Sequence, residues 1–316
     1  MDVPWALIAF LAAGAGTLVL GLLLRWLDRK VTARVQWRKG PPIYQTFADV
    51  IKLLGKENLM PANARGTGFL LAPVLALAAT AVAATLLWTA LLSPGTTFLG
   101  DLIVVIYFLA IPAIMTIVGG GASGNPHASV GASREIKLLM SYELPLFIVI
   151  LVAVAHSGWT FQLGGLLAAQ QAGAPVVFRL SGVLALVVAI VCMQAKLGQV
   201  PFDLAEAECE IMSGVYVEYS GPSLAFWMMT RAMLLAVMPL LLIIVFWGGL
   251  TPTVLGVLAF AGKYVLLVAL VTLIRNTNPR LRIDQTVRFF WFVLTPLAVV
   301  TVLLALIGQG KELPWL

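Results

Sequence analysis

Apolar residues dominate this chain in eight long runs. They cover roughly residues 4–26, 69–92, 99–118, 136–156, 179–197, 223–247, 252–274 and 287–307. A hydrocarbon layer about 30 Å thick needs close to 20 apolar residues of helix, and each run is near that length. A transmembrane barrel would instead show short segments alternating apolar and polar positions. The pattern predicts an all-α, polytopic membrane protein with about eight transmembrane helices, forming one integral membrane domain over residues 1–316. No internal repeat, low-complexity linker or separate soluble domain interrupts it.

The segment 41–56, PPIYQTFADVIKLLGK, follows a different rhythm and is too polar to span. Ile43, Phe47, Val50, Ile51 and Leu54 recur at helical spacing, with Asp49, Lys52 and Lys56 outside that stripe. It predicts a short amphipathic helix. Two placements stay open, in the membrane interface or packed on the chain's own spans.

Composition sharpens this picture. Only 11% of residues are charged and the mean hydropathy is +1.00, against roughly 25% charged in soluble domains. The two cysteines, Cys192 and Cys209, are too few for a disulfide framework or an iron–sulfur cluster. His127 and His156 lack metal-ligand spacing. Redox chemistry in which this chain takes part is therefore expected to be carried by a partner or a bound small molecule.

The net charge of +6 reads as orientation and not as nucleic-acid binding. Arg25, Arg29, Lys30, Arg34, Arg38, Lys39, Lys52, Lys56 and Arg65 follow the first span. Arg134 and Lys137 follow the third, Lys196 closes the fifth, and Arg275, Arg280, Arg282 and Arg288 follow the seventh. These connections alternate along the chain, so they share one side, which the positive-inside rule makes cytoplasmic. The opposite connections offer Arg179 and Lys311. Both termini are then expected outside. The first span carries its basic flank after it, the reverse of a secretory signal peptide, so it is expected to be retained.

Charges inside the spans are costly and so informative. Glu143 lies a turn or two inside the fourth span, in KLLMSYELPLF, where a carboxylate costs roughly 2.5–3.5 kcal/mol on insertion scales. Pro145 frees a carbonyl nearby. A protonatable group in a kinked helix suits a proton relay; a glutamate bonded to a neighbouring helix for packing is the plainer reading. Lys263, near the middle of the seventh span, calls for a buried partner or a hydrated path. Arg231, about two turns into the sixth, has the reach to snorkel. Asp101 reads as an acid at a helix start.

Against this scarcity of charge stands PFDLAEAECEIMSGVYVEYSG, residues 201–221. It holds Asp203, Glu206, Glu208, Glu210 and Glu218, five of the chain's 14 acidic residues. Residues 203–213 are expected to form a short helix with Asp203 near its start. The spacing would put Asp203, Glu206 and Glu210 on one face, repelling one another, with Glu208 pointing elsewhere. Apolar flanks (Val200, Pro201, Phe202, Ile211, Met212) favour a seat in the protein over a solvated surface face. The expected result is an acid-lined cavity on the cytoplasmic side, leading toward Glu143.

This stretch resembles the PFDLxEAExEhxxGxxxEYSG motif of respiratory complex I subunit 1 and its relatives. DRKVTARVQWRKGPP with QTFADVIKLLGKE is similar to that family's first cytoplasmic loop, and GASREIKLLMSYELP to its GxxR…SYE segment. Two segments depart. QAKLGQV stands where complex I has an ETNR-type sequence, and RKGPPIYQ lacks the longer GPNRVGP-type insert. Both look like the branch that anchors membrane-bound, energy-converting nickel–iron hydrogenases. The resemblance implies a non-redox subunit of the cell inner membrane. It would clamp hydrophilic hydrogenase-like large and small subunits to antiporter-like membrane subunits. A nickel–iron centre and iron–sulfur clusters would lie in those partners, with no cofactor in this chain. Asp203, Glu206, Glu208, Glu210 and Glu218 would then form the mouth of a proton path, Glu143 its membrane continuation, with Lys263 a further candidate. Arg134, Glu135, Arg34 and Arg38 would line or dock at that mouth. A quinone-binding complex I subunit, a stand-alone secondary transporter and a purely structural anchor are the competing readings.

Overall fold

The computed structural model describes residues 3–310, with side chains apart from those of residues 3–7, 208 and 209. Lys311 and the side chain of Glu208 lie outside what is described. Among the described residues all regular structure is helical.

Seven helices are long and apolar enough to cross a membrane. They are α1 (Val3–Val35), α3 (Gly66–Leu92), α4 (Asp101–Ala122), α5 (Pro126–His156), α9 (Gly221–Trp247), α10 (Val254–Thr277) and a composite last span. The eighth expected span is α7 (Leu180–Lys196), only 17 residues. At 1.5 Å per residue it reaches about 26 Å, slightly short of the hydrocarbon thickness. Short helices α2 (Gln45–Leu54), α6 (Leu163–Ala172) and α8 (Glu208–Ile211) lie between spans.

Helix α9 is the axis of the bundle. Its sequence is apolar on every side, and residues 232–246 are buried on all faces, as a helix enclosed by others must be. It packs against α1, α3, α6, α7 and α10. Helices α1 and α10 flank it with broad apolar outer surfaces, including Leu11, Val19, Leu258 and Val265, which suit lipid or partner helices.

Two elements differ usefully from the hydropathy pattern. Helix α5 starts ten residues before the apolar run at 136. Asn125 caps it by accepting from the His127 amide at 2.8 Å, and Pro126 occupies its first turn. Arg134 and Glu135 therefore stand on a helix continuous with Glu143. The last span is also not one regular helix. α11 (Ile283–Phe289) passes through a π turn over Phe290–Leu294 into α12 (Thr295–Gly310). Pro296 offers no amide to the carbonyl four residues earlier and would clash with it in a regular helix. The wide turn relieves the clash, and Thr295 Oγ1 donates to the Phe290 carbonyl at 2.8 Å. Phe202 packs against the Phe289 and Phe290 rings there, with centroids 6.4 and 5.1 Å away.

The amphipathic segment forms α2, and one side of it packs on the chain's own spans. Thr46 and Val50 are buried, Thr46 donates to the Leu22 carbonyl, and the helix rests on α1 and α9. Ile51 and Leu54 on its other side stay exposed.

Candidate functional site

The acidic connection between α7 and α9 does not form the expected helix over 203–213. Residues 203–207 are irregular, α8 has four residues, and Met212, Ser213 and Gly214 all take positive φ. The acids consequently do not share a face. Asp203, Glu206, Glu210 and Glu218 each turn to a different cation or amide, and that pairing outweighs what one turn of exposed helix would contribute.

Asp203 accepts from Arg280, beyond α10, at 2.9 Å. Glu206 is ion-paired with Arg231 of α9. Glu210 meets Arg134 of α5 at 2.5 Å. Glu218 accepts from the Asn125 side chain at 2.5 Å. Four acids thus stitch one loop to three separate parts of the bundle. Arg231 does not snorkel; it turns inward to Glu206 and lies over the Tyr216 ring at 5.1 Å.

Backbone close approach seats the loop. Gly131 of α5 faces it at a point where a Cβ would come 2.8 Å from the Ala205 carbonyl and 2.9 Å from the Val215 amide. Gly214, at φ +51°, would drive a Cβ into that same carbonyl. No larger residue fits either place without shifting the loop.

Two cavities lie beneath. The smaller, about 50 Å³, is lined by Glu135, Lys196, Asp203, Glu206, Tyr216 and Arg231, with apolar walls from α4 and α9. It has room for a few waters among polar partners. The larger, about 310 Å³, is lined by Arg25, Asp28, Asp203, Glu206, Arg231, Arg275 and Arg280. Asp203, Glu206 and Arg231 border both. Burial pushes the Glu206 carboxyl above the usual carboxylate range; Arg231 opposes the shift and Asp203 adds to it. Burial and the Glu206 charge likewise hold the Tyr216 hydroxyl in its neutral form.

Glu143 is not isolated. Lys196, the last residue of α7, donates to Oε2 at 3.1 Å and Oε1 at 3.4 Å. Its side chain is only 2% exposed and Glu143's 16%. The ammonium also lies 5.3 Å from the Tyr142 ring centroid. Glu135, two turns before Glu143 on α5, has no ion pair among the described residues.

Other expected residues lie elsewhere. Lys263 donates to the Trp247 carbonyl at 2.9 Å, closing the C-terminal end of α9 at the opposite end of the bundle from the acids. Arg34 and Arg38 are exposed beyond the site, on and after the last turn of α1. Asp101 starts α4 as expected, yet it is 2% exposed and accepts from the Leu163 amide at 2.7 Å, capping α6.

Sequence reasoning missed Asp28 and Lys196 as partners. Asp28 is buried in α1, ion-paired with Arg275 and bonded to Thr272 at 3.0 Å. Both were legible as charges within or at the end of apolar helices. Their partners were not.

A family model described as NADH dehydrogenase matches residues 7–306. The chain belongs to the NADH dehydrogenase subunit 1 family. The H-type subunit of NADH-quinone oxidoreductase from Anoxybacillus flavithermus (strain DSM 21510 / WK1) is 36% identical over 327 residues, covering 96% of each chain. The corresponding chain of Geobacillus sp. (strain WCH70) is 35% identical over 298 residues, covering 89% of this chain and 87% of the relative. Among solved structures, a chain of the membrane-bound sulfane sulfur reductase, an archaeal respiratory membrane complex, superposes with a TM-score of 0.86 at 28% identity. The match covers 95% of this chain and 99% of that one. This family member is therefore a membrane subunit of a complex I-like oxidoreductase.

Proposed function

We propose that this subunit anchors a hydrophilic, nickel–iron hydrogenase-like arm and couples that arm's electron transfer to proton or sodium translocation by antiporter-like partners. The redox metals belong to the arm. The subunit lies in the cell inner membrane with its acidic loop on the cytoplasmic side and both termini outside. The carrying observation is the line of titratable groups: Glu210 at the surface, Glu206 and Glu135 at the small cavity, then Lys196 and Glu143 inside the bundle. Surface acids that served docking alone would need no such inward continuation. Lys263 stands apart from this line and is better read as a helix-end cap.

A second reading, a quinone-binding complex I subunit, is favoured by the names of the curated relatives. The departures at 194–200 and in the first loop speak for the hydrogenase branch. Purification of the native complex separates the two. A nickel–iron large subunit with no quinone beside residues 198–214 is expected. A NADH-oxidising module, or quinone reduction blocked by a chamber inhibitor, would reject the hydrogenase reading.

A further inference from the structure

Among the described residues, Lys196 is the one side chain that both lines the small cavity and hydrogen-bonds Glu143. It closes the inner end of α7, sealed from the outside, with Tyr142 beneath its ammonium. Glu135 and Glu206 look into the same cavity from α5 and the loop. Lys196 thus stands between Glu143 and the acids of the cavity.

We propose that Lys196 is a proton carrier in its own right, handing protons between the cavity and Glu143. The inference rests on the coupling reading above. In the forward step the Lys196 ammonium gives a proton to the Glu143 carboxylate: one N–H bond breaks, one O–H bond forms, and a neutral amine faces a neutral acid. The amine then takes a proton from water in the cavity, and the resulting hydroxide is neutralised by the Glu135 or Glu206 carboxylic acid. The reverse sequence balances equally. A lysine suits this place because it both compensates the Glu143 charge and can lose a proton, whereas an arginine only compensates.

That distinction supplies the test. Membrane vesicles carrying the assembled complex, with Lys196→Arg or Glu143→Gln, are assayed for redox turnover of the arm and for proton and sodium uptake. Retention of the subunit in the complex is checked for each. The expected result is loss of ion uptake per turnover in both, with turnover retained. If Glu143→Gln uncouples while Lys196→Arg pumps normally, Lys196 is only a counter-charge and the inference is overturned. If Glu143→Gln itself pumps normally, the coupling path through Glu143 falls, and this inference with it. Should Lys196→Arg prove too large to assemble, Lys196→Gln decides. Its amide still donates to Glu143 but brings no charge, so normal uptake, or uptake that recovers as rising pH ionises Glu143 again, overturns the carrier role, and uptake lost at every pH supports it.

Discussion

The two ends of the bundle satisfy their charges differently. At the end holding the acidic loop, charge meets charge: Arg29 with Asp49, Asp28 with Arg275, Asp203 with Arg280, Glu206 with Arg231, Glu210 with Arg134 and Glu143 with Lys196. At the opposite end, charges meet neutral groups. Lys263 binds a carbonyl, Asp101 an amide, and Arg179 donates to the ring of His156 at 2.5 Å, whose other nitrogen faces Ser181. Groups of the second kind close helix ends and leave nothing to exchange. Paired acids and bases around cavities can trade partners and protons. Removing one member of a buried pair costs about 3–5 kcal/mol, because the other is left charged and dry. Losing one hydrogen bond to a backbone carbonyl costs about 1 kcal/mol. The acidic end is therefore the costlier one to disturb and the one equipped for chemistry.

The largest effect expected from breaking this contrast is at Glu143. Glu143→Gln keeps an acceptor for Lys196, which can shed its proton and so avoid a buried unpaired charge, so the subunit is retained while ion uptake per turnover is lost. Near-normal uptake would reject Glu143 as a carrier. Lys196→Met, by contrast, leaves Glu143 charged without a partner and is expected to cost about 3–5 kcal/mol. Loss of the subunit from the purified complex, rescued by adding Glu143→Gln, is the readout.

Next comes Arg231→Met, which strips Glu206 of its cation. Burial already raises the Glu206 carboxyl, so the variant favours the protonated acid still more. An acid whose folded pKa is raised binds more protons folded than unfolded. Stability therefore falls as pH rises from about 4.3, the unfolded value, through the folded pKa. Thermal melts of the variant complex should be closest to the parent in acid and furthest from it in alkali. A pH-independent difference would assign the loss to packing.

The surface pair sharpens the contrast from the weak side. Glu210 is 55% exposed in its pair with Arg134, so Arg134→Ala should change stability by only about 0.2–1 kcal/mol. A larger fall in attachment of the hydrophilic arm, greatest at low salt and shrinking as salt is raised, would mark Arg134 as a docking residue. The smallest effect is expected at the far end. Lys263→Met forfeits one cap on α9, at about 1 kcal/mol, with ion uptake unchanged. Uncoupling there would show that the polar path crosses the whole bundle.

The helical, many-span fold was legible because lipid forces a one-dimensional signal: backbone groups must be paired within the helix, and apolar length must match the layer. The sequence also marked Glu143 and the 201–221 loop, since charge in such surroundings is conspicuous. It misread the loop's local structure. Spacing of three and four suggested a helical acid face, but Arg134, Arg231 and Arg280 arrive from three distant segments and draw the acids apart. The π turn escaped notice although Pro296 was visible, because a proline alone does not say whether a helix kinks, ends or widens.

What the chain determined by itself was which residues are expensive in a membrane, and hence worth watching. Which cation each acid meets was decided only by tertiary structure. Glu143 and Lys196 are 53 residues apart, and Asp28 and Arg275 are 247 apart. Such pairs form because helix packing brings the charges within hydrogen-bond reach and excludes the water that would otherwise solvate them separately, and neither condition is written in local spacing.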